Sequence, residues 1–164
     1  MKSDFILQNK HFNLLLCELN KLEENRVYCR HDIHHLCEVA RIMLIKNKTE
    51  QLNINHDIIV ATALLHDIGR INEYKFNQDH RTSGLDFARD ILLDCNYKNT
   101  EIEAICTAIS NHNNLSKDTL SALLYRADKL SRACYTCKTK DCYWDSEKRN
   151  KEYYKWRLVT EILT

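Results

Sequence analysis

The chain has 164 residues, of which 44% are hydrophobic and 29% charged, with no proline, two glycines and a net charge of +1. That length supports one hydrophobic core without disulfides, and near-neutrality excludes the broad basic field that nucleic-acid binding usually needs. So few turn formers, and no alternating runs rich in Val and Thr, argue against a sheet and for an all-α single domain over 1–164 with six to seven helices.

An amphipathic stretch predicts the first helix over residues 4 to 24, and a second follows over 32 to 47. No run is long enough to span a bilayer, and the N-terminus from Met1 to Ile6 lacks the apolar core of a signal peptide. The expectation is a cytoplasmic protein with no membrane partner and no nucleic-acid partner. In the second helix His35 lies four residues before Val39 and seven before Ile42, so it shares their apolar stripe and points inward. His11, His34 and His56 are expected at the surface, while His31 is placed to support a site from behind.

The run from Ile58 to Leu65 is almost wholly apolar and predicts a helix over 56 to 68 buried on most sides. Asn55 is its expected N-cap and Gly69 its expected C-cap, with the doublet His66-Asp67 at its end. Adjacent helical residues diverge by about 100°, but at a helix end the backbone can turn both side chains to one point. The negative end of the helix dipole favours a cation there.

From Asn72 to Asp79 the chain is polar and reads as a loop delivering His80. Lys75 and Arg81 are candidate substrate contacts or, more simply, solvated surface charges. Helices are then expected over 82 to 94, 100 to 112 and 118 to 132, with Thr100 and Glu103 spaced as a capping box. Ile105, Ile109 and His112 share one stripe, as do Leu120, Leu124 and Asp128. An imidazole and a carboxylate therefore point into packed faces, where a buried charge needs a partner and a metal ion is a good one.

After this helix come Cys134, Cys137 and Cys142 within an extension of the domain over 134–142, then a last helix over 146 to 162. Two cysteines three positions apart can clasp one metal. Cys29 is the candidate fourth ligand, since it precedes His35 by six as Cys134 follows Asp128 by six. Loop thiols, a separate structural zinc site and an iron–sulfur cluster all fit this pattern. Cys17, Cys37 and Cys106 fall in helical patterns and are expected as small buried apolar residues, which suits a reducing compartment. Tyr143, Trp144, Tyr153, Tyr154 and Trp156 pack the last helix onto the body or mark a homodimer contact.

The order His35, His66-Asp67, Asp128 resembles the HD superfamily of metal-dependent proteins, named for the His-Asp doublet. The motifs that carry the likeness are His35-Leu-Cys-Glu-Val-Ala, Leu64-Leu-His-Asp-Ile-Gly69 and Ala127-Asp128-Lys129, in order from about residue 29 to 132. His80, just before Thr82-Ser-Gly-Leu, and His112, ending Ile-Ser-Asn-His, match the two extra histidines of the family's dinuclear branch. The resemblance implies an HD-type helical bundle binding one or two divalent transition metals among iron, manganese, cobalt, nickel and zinc. In its dinuclear form His35, His66 and Asp128 hold one ion, His80 and His112 the other, and Asp67 bridges them.

The resemblance further implies phosphohydrolase chemistry on a small phosphorylated substrate such as a nucleotide, with metal-activated hydroxide as nucleophile. Asp67, Arg70 and Lys129 are then the expected catalytic residues, and Arg70, Lys129 and Arg132 the cations for substrate phosphate. Two alternatives stand beside it: a mixed-valence diiron oxygenase, which shares every ligand, and a non-catalytic module that binds a nucleotide or metal as a regulator.

Overall fold

The computed structural model describes residues 1–112 and 118–134 together with positions 137, 139 and 142. The described residues form nine helical segments and no strand. The helix expected over 146 to 162, and the aromatic residues on it and before it, lie outside the described residues.

The first expected helix is two: α1 (Lys2–Gln8) and α2 (Lys10–Leu22). Between them Asn9 is extended, and its side chain accepts a hydrogen bond from Phe12 N at 2.9 Å. A short amide side chain that can cap competes with helix continuation, and here it wins. α3 (Ile33–Thr49) starts from Asp32, whose carboxylate accepts from His35 N at 3.0 Å. At its far end the buried Asn47 amide donates to Ile54 O and accepts from Ile54 N, closing the turn into the next helix.

α4 (His56–Leu65) is capped as expected, with Asn55 Oδ1 accepting from Asp57 N at 2.8 Å. Its Ile59 and Ala63 join Val39, Met43, Leu120 and Leu124 in one apolar cluster, facing α3 and α9 (Thr119–Leu130). Its Ala61, Leu64 and Leu65 join Phe12, Ile91, Ile105 and Ile109 in the other. A helix packed on both flanks needs apolar residues all round, which is why its sequence shows no polar stripe.

Gly69 does not cap α4. The chain turns at His66 and re-enters a helix, α5 (Arg70–Phe76), where a polar loop was expected. α5 ends at Asn77 in the left-handed conformation, φ 54°, so the polar residues of this stretch cover an exposed helix rather than a coil. Gly69 is needed for another reason: a Cβ there would lie 2.0 Å from the His80 carbonyl oxygen and 2.9 Å from Gly84 Cα. The two glycines of the chain thus meet backbone to backbone. That contact brings α6 (His80–Ser83) against the doublet.

α7 (Leu85–Asp94), α8 (Asn99–Ser110) and α9 (Thr119–Leu130) complete the bundle. α8 begins before the expected Thr100–Glu103 box, from an extended Lys98 whose N–H donates to Glu101 at 2.7 Å, and Glu103 instead pairs with Arg89. Cys106 is buried as expected, but Cys17 and Cys37 are exposed. Cys17 lies two residues from Leu15 and Leu19, and Cys37 one from Leu36, which on a helix turns each away from the apolar stripe. No helix among the described residues is long and apolar enough to cross a membrane.

Candidate metal centre

Five elements converge on one buried cluster. His35 comes from the first turn of α3, His66 and Asp67 from the turn after α4, His80 from the start of α6, His112 from just past α8, and Asp128 from the end of α9. All six side chains are buried. Their donor atoms form two groups, His35, His66, Asp67 and Asp128 in one and Asp67, His80 and His112 in the other, each closing within 4.8 Å.

The two oxygens of Asp67 face different groups. Oδ2 lies 3.0 Å from His66 Nε2 and 3.4 Å from His35 Nε2, while Oδ1 lies 4.0 Å from His80 Nε2. Asp128 Oδ1 closes the first group at 3.4 Å from His35 Nε2 and 3.9 Å from His66 Nε2, and His80 and His112 bring their Nε2 atoms to 3.4 Å in the second. Donors about 2.1 Å from a shared cation stand about 3 Å or slightly more apart, so these separations suit ligation.

The tautomers follow from what the far side of each ring touches. His66 Nδ1 donates to Ala63 O at 2.8 Å, and His112 Nδ1 to Ile109 O at 2.6 Å. Ser131 Oγ donates its proton to Asp128 O at 2.7 Å, so it accepts from His35 Nδ1, 3.1 Å away. His80 Nδ1 faces Glu73 Oε2 at 3.3 Å. His35, His66 and His112 are thereby each left with an Nε2 lone pair turned to the centre. His35 Nε2, His66 Nε2 and Asp67 Oδ2 are buried with no hydrogen-bond partner, a condition costing about 1–3 kcal/mol per atom unless a cation satisfies them. The donor set therefore fits a divalent transition metal.

Charges around the cluster keep its carboxylates ionised, while a proton on His66 is favoured until a cation takes its place. Burial resists ionisation of Asp67, but His66, Arg70 and His31 hold its carboxyl far below the usual range. Burial likewise opposes charge on Asp128, and Arg132, His35 and Lys129 override it. For His66 burial is overcome by Asp67 and Asp128, which raise its pKa. Burial dominates at His112, pushed down to about 4, with the neighbouring His66 adding to it.

Sequence reasoning missed one arrangement beside the centre. Glu23, buried at the end of α2, accepts from His31 N at 2.7 Å, from His31 Nδ1 at 2.5 Å and from Tyr74 Oη at 2.5 Å. Burial resists ionisation of Glu23, yet these hydrogen bonds lower its pKa to about 2. Burial pushes His31 down to about 4 despite Asp67 and Glu23. His31 is thus neutral at pH 7, its Nδ1 proton held by Glu23 and its Nε2 directed at Asp67 Oδ2, 3.8 Å away. Glu23 stands between Leu22 and Glu24, eight positions before His31, and no sequence period links it to the site.

The three expected phosphate cations surround the same point. Arg70 Nε pairs with Asp67 at 2.9 Å and its Nη1 with Glu73 at 2.8 Å, Arg132 Nη2 with Asp128 at 2.7 Å, and Lys129 Nζ with Asp128 at 2.6 Å. All three line one cleft open to solvent, together with Arg26, Tyr28 and His31. Lys75 and Arg81 do not reach it; they pair with Glu18 and Asp79 on the outside. His34 and His56 are exposed, as expected.

The HD domain family model matches residues 32–133, and the chain belongs to that family. Membership implies metal-dependent, phosphohydrolase-like chemistry, which the buried His/Asp cluster suits. The chain is 38% identical over 150 residues to an uncharacterized protein of Clostridium beijerinckii, covering 91% of this chain and 96% of that one. It is 32% identical over 105 residues to ribonuclease Y of Malacoplasma penetrans, covering 63% of this chain and 20% of that protein. No solved structure matches it.

Proposed function

We propose that the protein is a metal-dependent phosphohydrolase that binds two divalent cations across Asp67 and cleaves a nucleotide or another small phosphate ester or anhydride. The observation that carries this reading is the shared Asp67, whose two oxygens face two separate groups of buried imidazole donors. When bound, such a pair of cations supplies a hydroxide nucleophile at neutral pH and offsets charge on the phosphoryl group.

The remaining roles belong to the chain. His31 Nε2 is positioned to take a proton near Asp67 Oδ2, and Glu23 holds the ring in the tautomer that leaves Nε2 basic. Arg70, Lys129 and Arg132, which pair with Asp67 and Asp128 and line the cleft, would meet substrate phosphate there once a metal held those carboxylates. The guanidinium fork suits two phosphate oxygens at once.

A small substrate fits better than RNA. The name ribonuclease Y describes a protein of which this chain spans 20%, and a net charge of +1 supplies little of the phosphate-backbone attraction that RNA binding draws on. The deciding experiment purifies the protein without added metal or oxygen, determines its metals, and screens nucleotides and phosphate esters with each candidate ion. Manganese- or cobalt-stimulated phosphate release is the expected result. A diiron centre with substrate-dependent oxygen uptake would establish the oxygenase reading instead, and binding without turnover across the panel the regulatory one.

A further inference from the structure

The eight cysteines fall into two sets, and none is disulfide-bonded. Cys95 and Cys106 are buried in the core, and Cys17 and Cys37 sit on outward helix faces. The other four come from opposite ends of the chain and line one wall of the cleft beside the metal centre: Cys29, Cys134, Cys137 and Cys142. Thr139 Oγ1 donates to Val27 O at 3.0 Å, tying the two stretches together, and Arg26 Nε donates to Cys29 O at 2.9 Å, holding the near side in place. Just past α9, Cys134 N donates to Arg132 O at 2.8 Å and Cys137 N to Cys134 O at 3.2 Å, and two cysteines three positions apart in sequence are spaced to clasp one ion.

The surrounding charge is suited to thiolates. Arg26, Lys129 and Arg132 line the same cleft. A divalent ion held by four thiolates leaves a doubly negative centre, which these cations offset.

We propose that Cys29, Cys134, Cys137 and Cys142 form a second, thiolate-ligated site that takes a structural zinc ion and pins the stretch after α9 to the stretch before α3. Among the described residues the donors that already close on a single point are those of the His/Asp centre, so zinc draws the four sulfurs inward as it binds. The four thiol protons pass to solvent, and no electron is transferred. The site is independent of the phosphohydrolase reading, since none of its ligands belongs to the catalytic centre.

The test labels the intact, reduced protein with iodoacetamide, with and without zinc, and reads each cysteine by mass spectrometry. Zinc is expected to slow labelling of Cys29, Cys134, Cys137 and Cys142 at least about tenfold, because a ligated thiolate is a poor nucleophile. Exposed Cys17 and Cys37 serve as internal controls whose labelling should not change. Equal labelling of the four with and without zinc overturns the site, and protection of the other three without Cys29 overturns its composition. As a second measurement, cobalt alone is added to Asp67→Ala, in which the catalytic centre is impaired. Sulfur-to-cobalt charge-transfer absorption that disappears on adding zinc supports the site, and its absence refutes it. An iron–sulfur chromophore in the protein as purified would overturn the zinc assignment.

Discussion

Asp67 is the residue through which both donor groups pass, so its removal should not be graded. Asp67→Ala is expected to lose bound metal and phosphate release together, measured by elemental analysis and a turnover assay on one preparation; full activity from a metal-free variant would refute the mechanism. His31→Gln should behave differently if, as proposed, its Nε2 moves a proton rather than anchoring the cluster. It should keep its metal while kcat falls about a hundredfold or more, with KM little changed. Acid should also weaken the metal-free fold. His31 and His112 sit at about 4 against an ordinary value of 6.5, so each binds fewer protons folded than unfolded between those values. The stability carried by these two histidines is complete above pH 6.5 and falls as pH drops towards 4, with Asp67 and Asp128 extending the loss below their ordinary range, whereas the raised His66 contributes stability that is present below 6.5 and lost as pH rises above it. Denaturant midpoints across that window check the sign, and a midpoint that rises on acidification would contradict it.

At the scale of elements, the glycine crossing decides whether the second donor group forms. In Gly69→Ala the new methyl meets the His80 carbonyl, a backbone atom that cannot swing aside, so α6 must shift. The expected cost is about 1–3 kcal/mol, with metal lost from the His80–His112 side before the His35–Asp128 side; thermal melts and metal titration report the two effects. Asn47→Ala is a contrast at the far end of α3. It should destabilise by about 1–3 kcal/mol through the unpaired Ile54 backbone, leaving metal binding intact.

These elements also show what the sequence displayed and what it hid. His35, His112 and Asp128 were legible because each continues a helical stripe of apolar residues, and His66-Asp67 because it closes an apolar run. α5 was not, because its residues are polar on most sides and its end is an asparagine in the left-handed conformation instead of a glycine. The break at Asn9 was hidden because an amide inside an amphipathic run reads equally as surface or cap. Gly69 was visible as punctuation, but its cause lies in Gly84, fifteen positions away. Glu23 and Tyr74 were invisible because their partner, His31, is brought to them by the fold alone.

For the whole molecule, two apolar clusters share α4, and the donors gather where helices from both sides end. Metal binding therefore ties the ends of both halves and should stabilise the entire bundle. At a hundredfold excess of ion over its dissociation constant the gain is about 2.7 kcal/mol, seen as a rise in Tm that a chelator reverses. The most direct test of the Asp67-bridged pair is manganese stoichiometry by equilibrium dialysis on metal-free protein, run beside phosphate release on the same samples. Two ions per chain are predicted, with release appearing as the second binds and both the second ion and release lost in His80→Ala. One ion per chain with full activity, or two ions with no phosphate released from any ester or nucleotide, would contradict it.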